Sequence, residues 1–370
     1  METSDLNSPD YWESETVDLR VNPRRAPDTA GLREFLEVEC GVKAAVVLAS
    51  SGSSGRAKWI VLRKAALLAS ARAVNAHCGL TPDDVWLGGL STFHVGGIGI
   101  HARAFCNGAR VVPMAWDAWT RDGSAFLSSV ESAGATLASL TPTHLWDLVR
   151  AGVGAPATLR IIFLGGGRID PVLAERAREL GWPLRATYGM TEASSQVATA
   201  MGGETEWLPL LPLWEAEAAA DGSLRLRGEA LCEGWAVKES DVWSFVRARD
   251  EQGWFTAGDR CEIRGRELRF LARADQSVKV SGELVSLAGL NARLESLGII
   301  GLLVALPHPR AEHELILVCE EGAAGALERF NAGLPALERA TGFVTVPMLP
   351  RTETGKPDRS KIEDLARGLA

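Results

Sequence analysis

Short apolar runs separated by stretches of helical spacing set the pattern of the chain from residue 44 to residue 188. The apolar runs are residues 44–48, 59–62, 85–90, 109–113, 135–140, 159–164 and 184–188. Their length and their bounding glycines, prolines and polar residues predict strands. Between them, residues 64–78, a segment ending at Phe105, residues 126–132 and residues 171–180 carry the spacing of helices. Thr141 followed by Pro142 suits a helix cap and first turn. Strands alternating with helices predict a parallel α/β sheet, and ligands of such sheets gather at the C-terminal ends of the strands. The glycine-rich and polar breaks of this chain fall at those ends. Residues 32–38 also have helical spacing, whereas residues 1–27 are polar and dotted with proline, which predicts an extended arm.

After Ala200 the texture changes. Residues 224–228, 233–237 and 262–271 are short, alternating and punctuated by glycine, which predicts antiparallel strands in a meander or small barrel. The remainder, from about residue 276, mixes strands (301–306 and 315–319) with helices (323–332 and 361–369). The fold class that follows is α/β: a large N-terminal α/β domain with a small β subdomain, and a small α+β C-terminal domain. A length of 370 residues suits two domains.

Composition narrows the class further. Apolar residues make up 46% and charged residues 23%, the balance of a soluble globular protein. A net charge of −8 argues against nucleic acid and anionic membrane as general partners, while leaving room for a local basic pocket. Cys40, Cys78, Cys106, Cys232, Cys261 and Cys319 form no CxxC pair, which fits reduced thiols in the cytoplasm rather than a zinc site or disulfide framework. The N-terminus is acidic and has no apolar core, so it does not read as a signal peptide, and no run approaches membrane-spanning length.

The candidate chemistry begins at LASSGSSGRAK, residues 48–58. Ser50, Ser51, Gly52, Ser53, Ser54 and Gly55 follow a predicted strand, with Arg56 and Lys58 at the far end. Glycines let a backbone close on a ligand, hydroxyls donate, and the cations complement phosphate. The loop is not the Walker pattern, and alone it reads better as a flexible surface loop. Tyr188-Gly189-Met190-Thr191-Glu192 ends another strand; Thr191 can bond phosphate, and Glu192 can hold Mg²⁺ against phosphate oxygens. Its tail, with Ser194, Ser195 and Gln196, is unusually polar for an α/β domain and is a candidate pocket lining. Asp259, in TAGDR, is placed to accept ribose hydroxyls. Lys356 follows Gly355 on an exposed turn near the C-terminus, and His94 follows Phe93 at another strand end; a solvated lysine and a packing histidine are the plain readings of these two.

Seven stretches, LASSGSSGRAK, FHVGG, LGGG, YGMTE, TAGDR, RADQSVKVSGELV and PRTETGK, occur in this order. Together they resemble the successive core motifs of the adenylate-forming superfamily of acyl-CoA synthetases, peptide-synthetase adenylation domains and luciferases. Within it, the stretch from IIFLGGG to YGMTEASSQVAT, with TPTHLWDL before it, is most similar to the o-succinylbenzoate–CoA ligases of menaquinone biosynthesis. The resemblance implies the adenylate-forming enzyme fold and an ATP-dependent acid–thiol ligase. A carboxylate attacks the α-phosphorus of ATP to give acyl-AMP and pyrophosphate, and coenzyme A then displaces AMP. Carried over by motif, Ser50 to Lys58 hold the β- and γ-phosphates. Thr191 touches phosphate and Glu192 holds Mg²⁺. Gly165, Gly166, Gly167 and Tyr188 flank adenine, Asp259 binds ribose, and Arg273 lies near ribose and phosphate. Lys356 bridges the two reacting anions. Residues 1–272 correspond to the adenylation domain, 273–275 to a hinge centred on Asp275, and 276–370 to a mobile domain whose Lys279 and Gly282 serve thioester formation. His94, Ser194, Ser195 and Gln196 are the candidates for the acid pocket.

The chain departs from the pattern chiefly in length. Relatives carry on the order of 100 residues or more before the phosphate loop, so part of one subdomain is expected to be missing here, its face covered by a homodimer partner or by the N-terminal arm. Ala57, Ala272 and Gln276 replace residues common in the family, without removing a charged group that has an assigned role. Two other readings stay open: a ligase for another aryl or short-chain acid, and a non-catalytic remnant that binds nucleotide or a partner protein.

Overall fold

The computed structural model describes residues 6–23, 28–50, 58–115, 117–167, 169–273, 277–280, 283–308, 311–320, 325–353 and 355–369. The chain forms two compact units, one of Met1–Ala257 with Cys261–Phe270, the other of Gly258–Arg260 with Leu271–Ala370.

The first unit is built on a six-stranded sheet. Its strands lie in the order Arg110–Pro113, Val85–Gly88, Leu137–Leu140, Ile161–Leu164, Leu184–Met190 and Ser195–Thr199. The first five run parallel and the last is antiparallel to its neighbour. Successive strand residues face opposite sides of a sheet, and here both sides are buried. Trp86, Leu137, Ile161 and Phe163 pack with Leu67, Val74, Ile98 and Ala102 of helices Lys64–Cys78 and Val95–Asn107. Their neighbours Leu87, Ala138, Ile162 and Leu164 pack with Phe126, Val130, Leu145, Leu148 and Leu173 of helices Ser124–Ala133, Pro142–Arg150 and Pro171–Glu179. A sheet covered on both faces needs continuous apolar strands, which is why the runs in the sequence show no alternation. The Thr141 hydroxyl caps its helix by accepting from the His144 amide.

Four segments differ from their sequence expectation. Runs 44–48 and 59–62 do not join the parallel sheet. They lie in strands Ala45–Ser50 and Lys58–Arg63, which pair antiparallel with Val47 opposite Val61. The link between them is too short for a parallel crossover, which takes a dozen or more residues. The run 233–237, expected among antiparallel strands, lies in Gly234–Glu239, which pairs antiparallel with Val242–Arg247 and also with Lys58–Arg63. The expected extended arm holds helix Pro9–Glu13, capped by Ser8, and strand Val17–Arg20, which pairs in parallel with Ala45–Ser50. Leu6, Tyr11 and Trp12 are buried in the main core, and Trp12 stacks on Phe105 at 5.9 Å. A third sheet orders Leu208–Pro209, Glu267–Arg273, Phe255–Arg264, Ser223–Arg227 and Glu215–Ala218.

The second unit contains the hairpin Ser277–Val280 and Glu283–Ser286, and a three-stranded sheet of Gly301–His308, Glu312–Glu320 and Gly342–Val346. Leu303, Leu315 and Leu317 face a core with Leu290 and Leu294 of helix Leu287–Ser296; Val304, Ile316 and Val318 face another with Ile362 and Ala366 of helix Arg359–Leu369. Among the described residues, the helix expected over 323–332 spans Ala326–Asn331. No described helix is long and apolar enough to cross a membrane.

Candidate active site

In the first unit, several candidate residues follow the C-terminal ends of the parallel strands. Gly165 extends Ile161–Leu164, its amide donating to the Leu140 carbonyl at 3.2 Å. Gly166 and Gly167 are exposed beyond it. Tyr188 lies near the end of strand Leu184–Met190, half-buried, its ring 5.8 Å from that of Phe270. Thr191 and Glu192 then form one turn of 3₁₀ helix, Thr191–Ala193. The chain reverses sharply into the antiparallel strand: Ser194 has φ of 51° and Ser195 of 104°. Two left-handed non-glycine residues in succession store backbone strain of a kind found at functional turns. Gly189 makes the turn possible, because a Cβ there would lie 1.7 Å from the Ser195 carbonyl oxygen.

The phosphate-loop assignment falls mostly on Ser51, Gly52, Ser53, Ser54 and Gly55, which lie outside the described residues. Its rims are described. Ser50 and Lys58 are cross-strand partners, and the Lys58 ammonium sits 5.1 Å over the Trp235 ring. The loop therefore closes a hairpin.

The polar tail after YGMTE is largely bonded within the unit. The Ser194 hydroxyl donates to the Ala230 carbonyl at 2.7 Å. Gln196 is buried, and its Oε1 accepts from the Thr199 hydroxyl at 2.6 Å. Ser195 is half-buried. His94 caps helix Val95–Asn107 through its backbone, with its ring 4.9 Å from Phe93.

Sequence reasoning missed Arg103, on the same helix. Its side chain is 3% exposed, with the guanidinium carbon 5.2 Å from the Trp86 ring centroid and 5.7 Å from that of Phe163. Nη1 has no hydrogen-bond partner, and no carboxylate pairs with the group among the described residues. Burial pulls its pKa down to about 10. Gly99, one turn earlier, lets the guanidinium pack close against the helix: a Cβ there would lie 2.8 Å from Arg103 Nη2 and 3.6 Å from Ser195 Oγ. An arginine and a serine on two elements thus both lie close to Gly99. The available signal was a cation in the middle of a helix made mostly of apolar and glycine residues.

Glu192 is half-buried. Burial pushes the neighbouring Cys232 thiol up to about 12, and the Glu192 charge adds to that rise. No cluster of three or more His, Cys, Asp or Glu side chains suited to a metal occurs among the described residues. One carboxylate beside a threonine hydroxyl fits Mg²⁺, which keeps several waters and shares its ligation with substrate phosphates, and does not fit an all-protein cage.

The remaining candidates lie in the second unit. Asp259 is buried on strand Phe255–Arg264. Lys356 is exposed on a tight loop: its carbonyl accepts from the Thr352 amide at 2.7 Å, and Gly355, at φ 76°, bends the chain. Arg273 ends strand Glu267–Arg273 and Lys279 lies in Ser277–Val280; their side chains, and Asp275 and Gly282 altogether, are outside the described residues.

A layered α/β unit with this motif order defines a nucleotide-handling enzyme, and residues 18–219 match the family of AMP-binding enzymes. The chain belongs to that family. It is 33% identical over 247 residues to a 2-succinylbenzoate–CoA ligase of Bacillus mycoides, covering 61% of this chain and 49% of that protein. Its fold matches E. coli MenE with bound OSB-AMS, at a TM-score of 0.73 and 25% identity, covering 88% of this chain and 69% of the other. It also matches the o-succinylbenzoate coenzyme A synthetase of Bacillus subtilis in complex with ATP and magnesium ion, at a TM-score of 0.72 and 22% identity, covering 86% and 70%. The chain spans about half the length of the curated relative it matches.

Proposed function

We propose that this protein is an ATP-dependent acid–CoA ligase whose acid is a dicarboxylate of the o-succinylbenzoate type. Arg103 carries the reading. A buried guanidinium without a carboxylate is costly, and a ligand carboxylate reaching the unpartnered Nη1 would supply the missing partner. A ligase activates one carboxylate, so a substrate with a second one has an anion to spare for Arg103. The likeness to 2-succinylbenzoate–CoA ligases supports the same class, and ATP, Mg²⁺ and coenzyme A follow as the remaining participants.

In this reading the serine–glycine loop and Lys58 hold the terminal phosphates with N–H and ammonium donors. Gly165–Gly167 and Tyr188 flank adenine, and Asp259 accepts from the ribose hydroxyls. Lys356 lies between the attacking carboxylate and the α-phosphate, where it screens their repulsion and stabilises charge developing in the transition state. Thr191 donates to phosphate and Glu192 holds Mg²⁺, whose charge, when bound, neutralises the phosphate oxygens. Residues 273–275 act as a hinge between residues 1–272 and 276–370, so that Lys356 serves adenylation and the Lys279–Gly282 face serves thioester formation.

Acid-dependent exchange of pyrophosphate into ATP tests the first half-reaction, and thioester formation with coenzyme A tests the second. Turnover with o-succinylbenzoate and none with benzoate is expected. Turnover only with monocarboxylic acids overturns the substrate assignment; no exchange with any acid overturns the ligase reading.

A further inference from the structure

The segment before the phosphate loop meets helix Val95–Asn107 through Asn7 on His101 at 3.1 Å and Trp12 on Phe105 at 5.9 Å, and it reaches the turn before that helix through a buried side chain, Arg20. It is 7% exposed, at the end of strand Val17–Arg20. Nε donates to Asp18 Oδ2 at 2.7 Å, and Asp18 also accepts from the Tyr11 hydroxyl at 2.6 Å. Nη1 reaches across the fold to the Thr92 hydroxyl at 3.0 Å. Nη2 is buried and has no partner among the described residues. Thr92 stands two residues before His94, the residue that caps helix Val95–Asn107, and that helix carries Gly99 and Arg103.

The turn that Arg20 grips is tightly built. Gly97 packs so close to it that a Cβ would lie 2.1 Å from the Ser91 carbonyl oxygen, and the His94 amide donates to that oxygen at 3.2 Å. A shift of Thr92 therefore moves Phe93, His94 and the start of the helix together. Fold stability alone does not call for this arrangement. The N-terminal segment is already anchored by Leu6, Tyr11 and Trp12 in the core, and by Lys64, 1% exposed, which donates to the Tyr11 carbonyl at 2.7 Å and the Ser14 hydroxyl at 2.7 Å. Asp18 accounts for one edge of the Arg20 guanidinium, and Nη2 is still left orphaned, a costly feature.

We infer that Arg20 is a positioning residue for acid recognition: through Thr92 it sets the Ser91–His94 turn, and with it the helix that presents Arg103. The inference rests on the ligase reading for its kinetic consequence and on geometry alone for its structural one. It makes the N-terminal segment part of the acid site, in a chain whose relatives carry much more sequence overall.

The test uses the full chain with three substitutions. Arg20→Gln and Thr92→Val each break the Nη1 bond; Lys64→Met loosens the same segment without touching the turn. In acid-dependent exchange, Arg20→Gln and Thr92→Val are expected to raise KM for o-succinylbenzoate about tenfold, with KM for ATP within twofold of wild type. The double variant should be no worse than the weaker single, because both remove one bond. Lys64→Met should lower the melting temperature and leave KM for the acid unchanged. Hydrogen exchange of a peptide covering residues 91–98 gives a second readout that needs no turnover: faster exchange is expected in Arg20→Gln and Thr92→Val, and wild-type exchange in Lys64→Met. Unchanged exchange in the first two variants, or an equal rise in all three, overturns the inference. A wild-type protein that turns over no acid overturns only the ligase reading.

Discussion

Replacing Arg103 with methionine separates what the guanidinium costs the fold from what it gives the site. Burial lowers its pKa from 12.5 to about 10, and at about 1.4 kcal/mol per unit the charged form costs roughly 3 kcal/mol in the fold. The folded-state pKa is depressed, so this penalty is in full force below pH 10 and lifts only as pH rises toward 12.5. The contacts over Trp86 and Phe163 return about 1–2 kcal/mol together. A side chain of similar volume without the charge should therefore stabilise the protein by about 1–2 kcal/mol. At about 2–4 °C per kcal/mol for a domain of this size, the melting temperature should rise by roughly 2–8 °C at pH 7. Acid binding should move the other way. Losing a hydrogen bond to a charged group costs about 1.5–3 kcal/mol, so KM for o-succinylbenzoate should rise by roughly 10- to 150-fold, and the thermal shift induced by the acid should vanish. Scanning fluorimetry with and without the acid, with exchange kinetics on di- and monocarboxylic acids, reads all three effects. A variant that melts lower than wild type, or that keeps the wild-type KM for o-succinylbenzoate, would refute the argument, since Arg103 would then be serving the core.

Lys356→Ala should abolish acid-dependent exchange and largely spare thioester formation from supplied acyl-AMP; an equal loss in both half-reactions would exclude a lysine that acts only in adenylation. Gly189→Ala drives a Cβ to 1.7 Å from the Ser195 oxygen, so chemical denaturation should show a loss of about 3 kcal/mol or more, with exchange falling as Thr191 and Glu192 are displaced. The acid side of the stability profile belongs to two histidines. Burial holds His144 down to about 4, and burial with the Arg20 charge holds His101 down to about 4. Both are neutral in the fold at pH 7, whereas the unfolded chain protonates them below about 6.5. Unfolding free energy should thus fall from pH 6.5 to 4 by up to about 1.4 kcal/mol per pH unit for each histidine. His144→Gln should roughly halve that slope, and an unchanged slope would mean the ring is not held neutral.

The parallel sheet was legible because a strand buried on both faces admits only apolar residues, so residues 159–164 and 135–140 announce themselves without alternation. Pairing was not legible. Nothing in residues 58–63 or 234–239 encodes that they meet across that much intervening sequence; that choice is made by packing of Trp59 and Ala236 in a shared core. The N-terminal segment was misread because its average polarity hides a few anchors. The local signal was present in Ser8-Pro9, a cap followed by a proline at the first helical position, but its tertiary consequence, Tyr11 and Trp12 closing over Lys64, needs the fold. Arg103 and Arg20 escaped for a related reason. A sequence shows a cation, and only the structure shows that it is buried, Arg103 without a carboxylate and Arg20 beside Asp18 with one N–H unpartnered.

That distinction bears on how the site divides its work. Every group proposed here for acid recognition, His94, Ser195, Arg103 and the Arg20–Thr92 bond, lies within the first unit, whereas Lys356 lies in the second. If the second unit moves between half-reactions, the acid's contacts need not move with it. The acyl group can stay held by its spare carboxylate while the lysine is withdrawn and the thiol admitted. Arg103→Met and Lys356→Ala should then give different signatures. The first should weaken both half-reactions through binding, and the second should remove one through chemistry. Acid-dependent exchange measured at saturating o-succinylbenzoate discriminates them, because saturation restores Arg103→Met and leaves the adenylation defect of Lys356→Ala in place. An Arg103→Met enzyme that stayed slow at saturation would place the guanidinium in the chemical step and contradict this division.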